Sequence, residues 1–117
     1  KNVGVAFAPH HLHDAIDQIS VLLREGGNTH IPFIYFQEYH PSSKKKMSEQ
    51  EQLKQLPGFG KLDYIPILKA LREIRYSGLV EIFGHPVPRG IPMLGSAAKI
   101  TKAINTSRAY LNDCLKK

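Results

Sequence analysis

Side chains able to move protons or hold anions fall directly after three apolar runs of this chain. His10, His11 and His13 follow residues 2–8, Gln37 and Glu38 close residues 30–39 with His40 just after, and Gly84, His85 and Arg89 follow residues 79–83. An imidazole accepts and returns a proton near neutral pH, and a carboxylate placed beside a substrate does the same. Arg89 sits in Pro86-Val87-Pro88-Arg89-Gly90, a stiff loop that would hold its guanidinium fork in place for an anion. Taken singly, each has an ordinary use as well: His10 in a turn, His13 at a helix start, His40 in a loop and Arg89 on the surface. Grouped behind three apolar runs, they are more than composition alone would place there.

The elements that must position them read as alternating strands and helices. Residues 2–8 (NVGVAFA) form an apolar, β-branched run closed by Pro9, the pattern of a strand buried on both faces. Leu12, Ala15, Ile16, Ile19, Leu22 and Leu23 then recur at helical spacing, with Gly26-Gly27 as the expected stop. Residues 30–39 (HIPFIYFQEY) read as a second strand with Pro32 near its start. The long polar stretch that follows contains Ser48-Glu49-Gln50-Glu51, a capping-box spacing that predicts a short helix through Leu53. Pro57-Gly58-Phe59-Gly60 ends it. Asp63 is the expected N-cap of a helix with Pro66 in its first turn and Tyr64, Ile67, Leu68, Leu71 and Ile74 on one apolar face. Ser77-Gly78 stops that helix before a third strand over 79–83. Ser96 then opens a last helix whose inner side carries Ile100, Ala103, Ile104, Ser107, Leu111 and Cys114. This β-α-β-α-α-β-α order predicts an α/β fold of parallel strands joined by right-handed crossovers, with the chemistry at the strands' carboxyl ends.

Composition narrows the class. The chain has 117 residues, 42% hydrophobic and 22% charged, with no apolar run of membrane-spanning length. Sixteen Lys and Arg stand against 10 Asp and Glu, a net charge of +6, but the lysines cluster in Lys44-Lys45-Lys46 and at the carboxyl end. No Trp is present and no arginines interleave with aromatics, so a nucleic-acid partner is not expected. A single Cys excludes an internal disulfide, and a cytoplasmic location is the expectation. Cys114 has no CxxC partner and no phosphate loop accompanies it, which counts against a free-standing flavodoxin-like or redox domain.

Two segments carry a resemblance. Residues 3–12 (VGVAFAPHHL) resemble the "VGxxxDxxH" strand end of the xylose isomerase-like barrel superfamily, which includes sugar-phosphate isomerases and epimerases. Residues 56–64 (LPGFGKLDY) and 67–80 (ILKALREIRYSGLV) resemble its "PGxGxxD" loop and the helix and strand after it. The resemblance implies that residues 1–117 are the carboxyl-terminal three βα units of a (β/α)8 barrel of about 250 residues, with the earlier strands outside this chain. It further implies a small sugar or sugar phosphate as partner and a homo-oligomer of the full-length parent, while composition gives the expectation of no nucleic acid and no membrane. His11 and Glu38 are then the expected proton-transfer residues, and His40, His85 and Arg89 the expected substrate contacts. Members that isomerise sugars use a divalent metal such as Mn, Mg, Co or Zn. Here the positions expected to supply ligands fall on Ala8, Tyr35 and Phe83, so no metal ligands are assigned. The expected function is therefore a sugar-phosphate isomerase or epimerase-like activity through an altered site, the alternative being a non-catalytic carbohydrate-binding or structural relative with a lost metal site.

Overall fold

Pro32 decides where the sheet begins. In a computed structural model, which describes residues 3–12, 14–38, 46–88, 91 and 93–117, three parallel strands pair in the order β1 (Ala6–Phe7), β2 (Phe33–Phe36), β3 (Leu79–Ile82). Ala6 lies opposite Phe33 and Phe33 opposite Leu79, so pairing starts immediately after the proline, which has no N–H for a ladder. The first strand is two residues long rather than the seven expected, and Val3 and Val5 are exposed rather than buried on both faces. Before the ladder begins, the Val5 N–H donates to the His30 carbonyl and ties this segment to the end of the first helix.

Gly26-Gly27 do not stop the first helix. Helix α1 spans Ile16–His30 and runs through both glycines. A Cβ on Gly27 would lie 2.5 Å from Ile74 Cδ1, so that glycine permits close approach to the next long helix, α3 (Ile65–Glu73). Its neighbourhood is stitched by Asn28, whose amide donates to the Ile74 carbonyl and accepts from the Ser77 N–H. His30, expected in the second strand, is therefore the last residue of α1. Helix α2 (Glu49–Leu53) has the expected capping box: Ser48 accepts from the Glu51 N–H, and the Glu51 carboxylate accepts from the Ser48 N–H. Asp63 acts one residue earlier than an N-cap, accepting from the Ile65 N–H at 2.9 Å while Tyr64 takes the cap position of α3. Helix α3 closes through Arg75 at φ +50, with the Tyr76 N–H donating to the Leu71 carbonyl. The last helix, α4 (Ala97–Leu115), is capped by Ser96 and buries Ala103, Ser107, Leu111 and Cys114, as its spacing predicts.

Strand order that advances in one direction through right-handed crossovers carries successive helices to one face of a sheet. The core agrees: Ile19 and Leu23 of α1, Ile34 and Phe36 of β2, Ile67 and Leu71 of α3 and Leu111 of α4 form one buried cluster. Phe33, Tyr35, Leu79 and Glu81 point to the opposite face, where Phe33 and Tyr35 are half-buried and Leu79 is 68% exposed. The architecture is thus an α/β arrangement with a small parallel sheet and flanking helices, without the reversal of strand order that makes a doubly wound fold. Among the described residues, no helix is long and apolar enough to cross a membrane.

Candidate functional site

The carboxyl ends of the strands carry three of the five expected site residues within the described part of the chain. His11 lies in a 3₁₀ turn, Pro9–Leu12, directly after β1; its ring is exposed and stacks on that of His10 with centroids 3.8 Å apart. Glu38 follows β2 and is 2% exposed. His85 follows β3 and is half-buried. His40 and Arg89 lie outside the described residues, as does His13.

Glu38 is held by the loop that precedes α3. Its Oε1 accepts from the Gly58 N–H at 2.9 Å and its Oε2 from the Leu62 N–H at 3.1 Å, and the Gly60 and Lys61 amides bear on it as well. A turn of successive N–H groups closing on one anion is a nest, and here the anion is the chain's own carboxylate. Gly58 at φ +84 supplies the left-handed residue the turn needs, and a Cβ on Gly60 would collide with the carboxylate itself. Burial pushes the Glu38 carboxyl above its usual range, while the four backbone amides pull it back. The same burial raises the neighbouring phenols: Tyr64, which packs against Phe36, lies well above the ordinary value, and Tyr110, next to Cys114, is pushed up to about 12. The geometry gives Glu38 the task of locking residues 58–62 onto the end of β2. A catalytic carboxylate needs an oxygen open to substrate, and both oxygens here face backbone donors.

A second lock joins the ends of β2 and β3. The buried Gln55 amide accepts from Gln37 Nε2 at 2.8 Å, donates to the His85 carbonyl at 2.7 Å and accepts from the His85 N–H at 3.3 Å. Gln52 works alongside it, donating to the Met47 carbonyl and accepting from the Leu94 N–H. Through these two glutamines, α2 and the residues after it sit across the strand ends and fix the backbone of His85. On the open face of the sheet the aromatic rings run in a row. Phe33 and Tyr35 lie 4.5 Å apart, Tyr35 and Phe83 5.0 Å, and Phe83 and His85 6.2 Å, centroid to centroid.

These residues do not suit the divalent metal that the sequence resemblance implies. Ala8 is buried without a ligand atom, Tyr35 and Phe83 are engaged ring to ring, and Glu38 has both oxygens taken. Among the described residues no three His, Cys, Asp or Glu side chains converge as a metal site. What the arrangement offers instead is an aromatic wall with imidazoles at the strand ends, able to pack on an apolar face and hydrogen-bond polar groups. Comparison with known proteins returns no matching family model, no matching curated protein and no matching solved structure. Sequence reasoning missed Gln52 and Gln55, whose partners lie up to 42 residues away and leave no local spacing to read.

Proposed function

We propose that this chain is the carboxyl-terminal part of a xylose isomerase-like (β/α)8 barrel and that it binds a small carbohydrate at the carboxyl ends of its strands without the superfamily's metal. One observation carries the reading: strands in consecutive order with their helices on one face leave the other face, with Phe33, Tyr35 and Phe83, turned toward what would be a barrel interior. The exposed area supports it. The chain exposes 7659 Å², against about 6,400 Å² for a closed monomer of 13.2 kDa. Hydrophobic side chains at both sheet edges, Val3 and Val5 beside β1 and Leu79 and Val80 in β3, belong to the same picture of strands with neighbours still to come.

Carbohydrate is favoured because stacked half-exposed aromatics suit the C–H face of a sugar ring, and His11 and His85 suit its hydroxyls. A binding role is favoured over isomerisation because the carboxylate expected to move the proton is occupied by backbone amides. Calorimetric titration of the chain with a panel of ketoses and ketose phosphates tests this, with His11→Ala weakening the affinity several-fold. Absence of binding across the panel counts against the reading, and exchange of a substrate C–H proton with solvent would restore the isomerase alternative.

A further inference from the structure

The neutral imidazole has one protonated and one bare nitrogen, and in His85 the structure decides which is which. His85 Nδ1 lies 3.2 Å from the Pro86 carbonyl oxygen. A carbonyl only accepts, so a hydrogen bond here requires the ring proton on Nδ1 and leaves the lone pair on Nε2. Among the described residues Nε2 has no protein partner and is not one of the buried unpaired atoms, so it faces solvent. The residue carrying it is held at three points. Its N–H and carbonyl are both bonded to Gln55, and its ring meets Phe83 edge-on at 6.2 Å. Phe83 continues into Tyr35 through an edge contact at 5.0 Å.

From this we propose that His85 Nε2 is the acceptor for a hydroxyl of the bound carbohydrate, positioned at the end of the Tyr35–Phe83 wall. The assignment rests on the reading of the strand ends as a carbohydrate site and deepens it, because it names the atom and its hydrogen-bonding sense. A fixed lone pair selects a donor: a sugar hydroxyl has one to give, whereas sulfate, fully ionised at neutral pH, has none. The aromatic wall beside it takes the ring's apolar face, and the two together orient the ligand.

Long-range nitrogen-15 NMR of the 117-residue chain reads the ring directly. The expected neutral form is Nδ1–H with bare Nε2, and the Nε2–H form overturns the proposal. Titration with D-fructose should then move the Nε2 resonance, while inorganic sulfate should not; the reverse response also overturns it. Two variants separate position from bulk. His85→Asn keeps an amide N–H near the Nδ1 place and has no atom at the Nε2 place, so it should bind D-fructose about tenfold more weakly, the worth of one hydrogen bond. His85→Gln returns an amide oxygen to the Nε2 place and should recover most of that loss. Unchanged D-fructose affinity in both variants refutes the role of His85 while the carbohydrate reading stands. Failure of the unaltered chain to bind either D-fructose or its 6-phosphate removes both.

Discussion

Replacing Glu38 by Gln tests the lock on residues 58–62. The substitution preserves shape but turns one acceptor oxygen into an NH2 donor. In the native arrangement Oε1 serves Gly58 at 2.9 Å and Oε2 serves Leu62 at 3.1 Å, so whichever way the amide lies, one backbone N–H loses its acceptor and faces another donor. A buried donor left without a partner costs about 1–3 kcal/mol. The amide also removes the burial penalty on the carboxylate, which offsets part of that cost. The net expectation is a loss of about 1–2 kcal/mol at neutral pH, roughly 4–8 °C in melting temperature for a chain of this size. A pH series sharpens it. Because the folded state raises the Glu38 pKa above its unfolded value of 4.5, the carboxyl contributes most stability below pH 4.5, and this contribution is lost as pH rises through the folded pKa. The advantage of the native chain over Glu38→Gln should therefore be larger at pH 4 than at pH 7. Urea unfolding followed by circular dichroism gives the stability, and hydrogen exchange at Gly58 and Leu62 reports the loop. A variant that melts within 1 °C of the native chain at pH 7, with both amides equally protected, would refute the lock. The expected loss makes Glu38→Gln a poor probe of catalysis, since it loosens the loop whatever else it does.

Three further expectations follow from packing. Gly26→Ala faces open space, with only His30 Cδ2 at 3.9 Å, and should stabilise helix α1 by about 0.5–1 kcal/mol, whereas Gly27→Ala meets Ile74 at 2.5 Å and should cost about 1–2 kcal/mol; thermal melts of the pair check the opposite signs. Ser107 Oγ is fully buried without a hydrogen-bond partner among the described residues, so Ser107→Ala should be neutral or stabilising by about 1 kcal/mol, and a measured loss of stability would show a hidden partner. Gln55→Leu leaves the His85 N–H and the Gln37 amide unpaired and should cost about 2–3 kcal/mol, with hydrogen exchange at His85 accelerating ahead of global unfolding.

The parts of this fold governed by neighbours in sequence were open to direct reading. The Ser48–Glu51 capping box, the Ser96 cap, the apolar faces of α3 and α4 and the parallel β-α rhythm all follow from spacing within one or two turns. What escaped depends on partners far along the chain. Gly26-Gly27 looks like a helix stop until Ile74 is seen lying against Gly27, 47 positions later. The strand over residues 2–8 looks fully buried until its neighbour proves to start pairing only after Pro32. Glu38, His11 and His85 follow strands, as the order of apolar runs predicts, but the Glu38 partners 20 and 24 residues downstream and the Gln55 bridge to His85, 30 residues away, belong to tertiary structure. Their effect is to make Glu38 a structural anchor and to leave the imidazoles as the groups open to a ligand.

The most direct test of carbohydrate binding at the strand ends is an NMR footprint: chemical-shift changes across the 117-residue chain as D-fructose and its 6-phosphate are added. The account predicts changes concentrated at His11, Tyr35, Phe83 and His85. Changes confined to the outer side of α4, around Thr101, Asn105 and Ala109, or no changes at all, would contradict it.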